Sequence, residues 1–270
     1  MARPLGALRL TETEGNVSKG AMKSMEPQRK TDSGKPVFSR FRGLSREQLN
    51  VELQVHTNWT DGEATVLEVL QTAKKRGLAE LAFTEHVRED TSWFPDFKAE
   101  IYSAVDAVGD MRVYVGCETK AMDDDGRLDV SQSVLDACDI VLGVVHRLPD
   151  GQGGYLDFKQ LSFEETAEIE FRLSMGMIAN APIDVLGHPG GMSLRRYGRF
   201  PEDYFRALMK ATLERGIAIE INSSYLDDMP GFLALCDEIN PFVSIGSDAH
   251  KLSELGRCRD RLLELGVGLT

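Results

Sequence analysis

The 270-residue chain holds only four cysteines, Cys117, Cys138, Cys236 and Cys258, and no two of them form a CxxC pair. That excludes a thiolate zinc knuckle, and isolated cysteines in apolar or helical surroundings suit core packing in a reducing compartment. No apolar run reaches the length that spans a membrane, and the N-terminus lacks the apolar stretch of a secretory signal. A cytoplasmic protein is therefore expected. Basic residues are in deficit: 31 Lys and Arg stand against 43 Asp and Glu, for a net charge of −12. The deficit is uneven, because residues 1–42 hold nine basic against four acidic residues and the remainder carries −17. A body this acidic repels a polyanion over most of its surface, so small ligands are favoured over extended nucleic acid. No Ser-His-Asp or Gly-x-Ser-x-Gly pattern offers a protein nucleophile.

Residues 1–42 mix Gly, Ser, Pro, Lys and Thr with little hydrophobic periodicity, and a mobile basic tail is expected there. From residue 43 to 270 short apolar runs alternate with amphipathic stretches of helical length, punctuated by Gly or Pro. Seven strands are predicted, at 51–56, 80–85, 112–117, 139–145, 183–187, 217–222 and 242–247. Between them lie helix-like segments. One, "TVLEVLQTAKKRG", starts after Thr65, places Val66, Val69, Leu70 and Ala73 on one face, and ends in basic residues before Gly77. Nearly all-apolar strands alternating with helices imply a parallel sheet covered on both faces.

Histidine is rare, and its placement is the main signal. The five residues His56, His86, His146, His188 and His250 each stand at or just past the C-terminal end of a predicted strand. Glu118 and Asp248 occupy the same kind of position, and Asp61 follows His56 in the first βα loop. His56, His86, Glu118 and His146 are separated by 30, 32 and 28 residues, about one βαβ repeat. In a closed parallel barrel the strand ends converge on one rim, so these side chains would meet. Imidazoles and carboxylates without cysteine form a nitrogen and oxygen donor set suited to zinc, manganese or iron. Eight such donors exceed the needs of one ion, so two or three divalent metal ions are expected.

In series, "ELQVHTNWTDG", "LAFTEH", "VGCET", "VLGVVH", "DVLGHPGG", "EINSS" and "IGSDAH" resemble the PHP (polymerase and histidinol phosphatase) superfamily of metal-dependent phosphoesterases, over residues 51 to about 265. The segments "GRLD" and "GHPGG" are similar in texture to the PHP domains attached to family X DNA polymerases. The resemblance implies a distorted (β/α)7 TIM-like barrel with its metal site at the C-terminal rim of the strands, in agreement with the seven strands counted above. It also implies ligand sets: His56, Glu118 and Asp248 with Gln54 for a first ion, Glu118 bridging to a second held by His146 and His188, and Asp61, His86 and His250 for a third. Asp248, His250 and Glu118 would stand nearest the chemistry. The departure is Gln54, where the family pattern has a histidine; an amide carbonyl is a weaker donor to zinc-like ions than imidazole.

The expected reaction is hydrolysis of a phosphate ester by a metal-bound hydroxide. The substrate class would be a small phosphorylated metabolite such as histidinol phosphate or a nucleotide. The alternatives are a nuclease or DNA 3′-end phosphoesterase, and a catalytically degenerate metal-binding module. Candidate phosphate-binding residues adjoin the metal motifs: Arg88, Lys120, Arg195 and Arg196, the last two in a loop after His188; Asn222, with Ser223, either orients substrate or caps the helix that follows. Arg147 follows His146, and the Gly-rich loop 147–160 reads first as an irregular connection and second as a segment that could close over a ligand. "DDDG" at 123–126 reads as a solvated turn.

Overall fold

The computed structural model describes residues 34–269. Most of the expected basic tail lies outside the described residues. The first element, β1 (Ser39–Arg40), begins a few residues before the expected domain boundary and pairs antiparallel with the last strand. The seven predicted strands all form: β2 (Val51–Val55), β3 (Glu80–His86), β4 (Arg112–Lys120), β5 (Ile140–Val144), β6 (Val185–Leu186), β7 (Ala218–Asn222) and β8 (Phe242–Gly246). They lie side by side and parallel in sequence order from β2 to β8. The crossovers carry α1 (Val66–Lys75), α2 (Phe94–Val108), α3 (Gln132–Ala137), α4 (Phe163–Asn180), α5 (Gly191–Tyr197), α6 (Glu202–Arg215), α7 (Met229–Ile239) and, after β8, α8 (Arg257–Glu264).

Local chemistry fixes the helix ends. Thr65 and Glu68 form a reciprocal capping box at the start of α1, and Ser162 and Glu165 do so for α4. Helix α1 buries Val66, Val69, Leu70 and Ala73, the face its sequence periodicity predicts. Two apolar layers result. A large one lies between strands and helices, and a smaller one, including Leu53, Ala82, Tyr114, Leu142 and Val185, fills the barrel's interior, with Phe38 and Phe242 packed against it. The Tyr114 hydroxyl in this inner layer donates to Glu80 Oε2 at 2.7 Å, so its polar tip is satisfied.

The barrel is distorted because the sheet does not close along its full length. Strand β2 shifts register between Glu52 and Val55, and the seam to the β8 side is joined by backbone only around Val55 and Ala249. There the His56 N–H donates to Ala249 O at 2.9 Å and the Ala249 N–H donates to Gln54 O at 3.1 Å. Lower down, the Glu52 carboxylate takes the place of a strand partner, accepting from Ser247 N (2.7 Å), Ser247 Oγ (2.6 Å) and Gly256 N (2.8 Å). Among the described residues no helix is long and apolar enough to cross a membrane.

Inside the barrel, Gly246 has no room for a side chain: a Cβ there would stand 2.2 Å from Glu220 Oε1 and 3.0 Å from the Gln54 Cβ. Gly246→Ala is therefore expected to destabilise the fold by about 1–3 kcal/mol through overpacking. Chemical denaturation of the metal-free protein measures this, and an unchanged midpoint would show that the interior yields freely.

Candidate metal centre

The rim of the barrel gathers every histidine. His86 is the last residue of β3, while His56, His146 and His188 follow β2, β5 and β6 directly or after one residue. Glu118 lies within β4, which runs longer than predicted, and Asp248 and His250 follow β8. His188 and Asp248 adopt positive φ, 24° and 50°. Such backbone is unfavourable for residues with a Cβ and persists where the surroundings over-determine it. Gly191 permits the turn after His188, since a Cβ there would lie 3.0 Å from His188 Nδ1 and 2.9 Å from the Tyr225 ring.

Glu118 is the centre of the arrangement. Its Oε1 lies 2.8 Å from His188 Nε2 and 3.3 Å from His146 Nε2, and its Oε2 lies 2.8 Å from His86 Nδ1 and 3.3 Å from His56 Nε2. His56 Nε2 is also 3.2 Å from Asp248 Oδ1. On the outer side, Asp61 approaches His86 Nε2 at 3.3 Å and His250 Nε2 at 3.4 Å. Three donor groups emerge, each compact enough for one ion: His56, Glu118 and Asp248; His86, Glu118 and His146; and His56, Asp61, His86 and His250. His188 joins through its contacts with Glu118 Oε1 and with His146, whose Nε2 is 3.3 Å from its own.

The sequence matches the PHP domain family over residues 52–224. The chain belongs to the PHP family. A protein of Caldanaerobacter subterraneus subsp. tengcongensis named "Probable phosphatase" is 29% identical over 239 residues, covering 81% of this chain and 85% of its own length. The PolX DNA polymerase/3′-5′ exonuclease of Bacillus subtilis is 23% identical over 217 residues; the match takes in 77% of this chain but 35% of that protein. Among solved structures, the histidinol phosphate phosphatase of Lactococcus lactis, complexed with zinc, L-histidinol and phosphate, aligns with a TM-score of 0.62 at 18% identity. That alignment covers 81% of this chain and 93% of the other.

The PHP rim of this chain fits divalent cations on its own chemistry. His56 Nδ1 and Nε2, Glu118 Oε2 and His188 Nδ1 are buried without hydrogen-bond partners, and buried donors and acceptors rarely stay unpaired unless something else occupies them. Protonation states point the same way. Burial alone would depress His56, yet contact with Asp248 and Glu118 holds its pKa well above the ordinary imidazole value. Burial would raise Glu118, yet His146, His188 and His56 hold its carboxyl well below the usual range. A carboxylate kept charged in a dry site attracts cations, whether protons on imidazole or metal.

Gln54 is fully buried among these residues. Its carbonyl oxygen, the atom expected to ligate, accepts instead from Asn222 Nδ2 at 2.8 Å, and its Nε2 donates to Glu118 Oε1 at 3.1 Å. Asn222, expected on the open rim, is likewise buried, and besides Gln54 it binds Glu220 Oε2 and the Ser224 N–H. It is not placed to meet a phosphate.

A cleft of about 1020 Å³ opens from the metal centre, lined by Arg88, Lys120, Arg147, Lys159 and Arg195 among others. Three of the predicted phosphate-binding residues, Arg88, Lys120 and Arg195, thus face it. Lys120 is paired with Asp129. Arg195 lies 4.2 Å over the Tyr225 ring and 3.8 Å from Asp248 Oδ2; on Tyr225's own account, its ring stacks on His188 at 4.3 Å. Arg196 turns away, donating to Lys159 O at 2.6 Å and lying over Phe158. The two arginines stand on helix α5 and not in a loop, and on a helix adjacent side chains diverge. Loop 147–160 is partly ordered by an antiparallel bridge between Pro149 and Tyr155. Asp123 accepts from the N–H groups of Asp125 and Arg127, so "DDDG" is a turn as expected.

Sequence reasoning missed Tyr225 and four buried glutamates. Glu85 accepts from Thr57 N (2.7 Å), Glu220 from His188 N (2.7 Å), Glu52 from Ser247 N, and Glu170 from Met192 N (2.9 Å) and Ser193 N (3.0 Å). Burial pushes the Glu170 carboxyl up to about 7 from an ordinary 4.5, against the pull of its Ser193 and Met192 donors. The folded state therefore binds this proton more tightly than the unfolded chain. The stability it contributes is full below about 4.5 and is lost as pH rises toward 7. In Glu170→Gln the decline between these values should be shallower, by up to about 1.4 kcal/mol per pH unit. Urea unfolding of the metal-free protein across that range checks this, and equal slopes would refute it.

Proposed function

We propose that this chain hydrolyses phosphate monoesters of small metabolites with the help of divalent ions held at its barrel rim. The observation that carries this reading is Glu118, whose two oxygens face two different pairs of imidazoles at the base of a cation-lined cleft. One ion would be held by His56, Glu118 and Asp248, a second by Glu118, His146 and His188, and a third by Asp61, His86 and His250. Zinc, manganese and iron(II) all suit these donors. When bound, such ions activate water and polarise phosphoryl oxygens. The protein's own contribution is orientation and charge. Arg195, fixed between Tyr225 and Asp248, presents its guanidinium beside the centre, where it can engage phosphoryl oxygens through a planar pair of donors. Asp248, whose φ is positive, and His250 follow β8 and would stand nearest the reacting group.

The cleft is far larger than a phosphate group, and its remaining walls address the organic half of the substrate. Arg88, Arg147 and Lys159 add positive charge, while Tyr155, Phe158 and Tyr225 add aromatic surface. Tyr155 is 41% exposed, with Arg147 and Lys120 over its ring at 6.0 and 5.9 Å. Histidinol phosphate would bring an ammonium group among these cations. A planar organic half without positive charge, as in a nucleotide, fits better. The nuclease alternative is not favoured, because a chain of net charge −12 repels a long polyanion.

The test is phosphate release by the metal-loaded chain from an aryl phosphate, nucleoside monophosphates and histidinol phosphate. Turnover of the first two with a lower KM for nucleotides is expected, and Tyr155→Ala should raise that KM by about tenfold, as loss of a stacking contact does. Absence of turnover on every ester, with metal bound, would reject the enzyme reading. Preference for histidinol phosphate would reject the assignment of the cleft.

A further inference from the structure

We propose that Gln54 is a positioning residue and not a metal ligand, and that it holds Glu118 in its bridging orientation through an amide relay anchored on the Ser224 N–H. The inference rests on the metal reading given above and concerns what this chain does where the PHP pattern has a histidine.

The relay has only one consistent polarity. A backbone N–H can donate and never accept, so the Ser224 N–H, 2.8 Å from Asn222 Oδ1, fixes which end of the Asn222 amide is oxygen. Asn222 Nδ2 must then face Gln54, and the atom it meets at 2.8 Å must be an acceptor, Gln54 Oε1. Gln54 Nε2 is thereby turned to Glu118 Oε1, 3.1 Å away. At the far end, Glu118 Oε1 also meets His188 Nε2 at 2.8 Å and His146 Nε2 at 3.3 Å. Glu220 Oε2 reinforces the direction, since it takes a second hydrogen bond from Asn222 Nδ2 at 3.1 Å while accepting from the His188 N–H. Reversing either amide would set donor against donor or oxygen against oxygen in a site with no water-accessible surface at Gln54 or Asn222.

Two consequences follow for the centre. Glu118 Oε1 receives the Gln54 N–H on the same oxygen that meets His146 and His188, which sets the carboxylate plane and leaves Oε2 for His56 and His86. The donors left for the first ion are then His56, Asp248 and Glu118, and the carbonyl of Gln54 is not among them. A hydrogen bond that orients a ligating carboxylate typically changes metal affinity by about 10–100-fold when removed.

The sign of one substitution separates the two roles. Asn222→Leu removes the donor that holds the Gln54 carbonyl away from the centre. If Gln54 positions Glu118 through the relay, metal binding weakens. A ligand role predicts the reverse, because the freed carbonyl can turn to the ion. Full-length chain stripped of metal would be titrated with Zn²⁺ against a chromophoric chelator, with folding checked by circular dichroism. Asn222→Leu and Gln54→Met are each expected to lower affinity by about tenfold, and the double variant should lose little more, since both cut the same relay. Tighter or unchanged binding in Asn222→Leu, or losses that multiply in the double variant, would overturn the proposal. Should Asn222→Leu not fold, Gln54→Met decides through stoichiometry at saturating zinc: loss of one ion per chain would mark Gln54 as a ligand, and a full complement at lowered affinity as a positioning residue. A native chain that binds no zinc at all would instead reject the metal reading beneath both.

Discussion

A single carboxylate buried at the top of the barrel sets the terms for everything around it. Glu118 is almost without solvent contact, and an ionised carboxylate in such a place is costly unless charge and hydrogen bonds surround it. Four imidazoles and the Gln54 amide do so. Removing one partner from a buried charge cluster leaves the others uncompensated, at a cost of about 3–5 kcal/mol. The convergence of strands β2 to β6 on this residue is thus a requirement of folding, whatever else it serves. The protein cannot bury Glu118 in the observed position without bringing the histidines to it.

The segments that deliver those histidines are irregular, and several of their backbone N–H groups, those of Thr57, His188 and Ser247 among them, donate to side chains and not to a neighbouring strand. Buried glutamates supply the missing acceptors. Glu85 on β3 ties the loop after β2, Glu220 on β7 ties the turn after β6, Glu52 on β2 ties the segment after β8, and Glu170 on α4 holds the first turn of α5. The three strand acids reach from a regular element to a neighbouring loop, so the positive φ of His188 and Asp248 is held by atoms that belong to rigid strands. Burial raises Glu52 to about 7 and Glu220 to about 8. Protonation therefore removes part of the negative charge beneath the metal centre at neutral pH, more of it at Glu220 than at Glu52.

Much of this was legible in the chain itself, for physical reasons. Strands β2 to β8 are nearly continuous apolar runs because they are covered on both faces, and five histidines at strand ends stand out in a sequence where histidine is scarce. The glutamates were not legible, because a lone acid in an apolar strand, such as Glu52 or Glu220, has the same sequence appearance whether it serves the backbone or a ligand. Gln54 could be recognised as a departure, but the direction of its amide depends on Asn222 and Ser224, which are distant in sequence. Arg195 and Arg196 looked equivalent until a short helix sent them to different sides. Tyr225, stacked between Arg195 and His188, carried no signal at all, since its neighbours come from α5 and from the turn after β6.

The centre is graded from dry to wet, and the gradient gives the reaction a direction. His56, His188 and Glu118 are buried, the side chains of His86, His146 and His250 are 33, 30 and 29% exposed, and that of Asp61 is 53% exposed. A phosphate ester can approach only from the exposed side. On that side the acidic donors are outnumbered by the cations of the cleft, which offset the negative charge of the chain where a substrate must enter. The polypeptide as a whole repels polyanions, yet the mouth of this one site attracts a small anion. On the proposed reading, long nucleic acid would meet the global field and a phosphorylated metabolite the local one, so that size as well as charge would select what reaches Glu118.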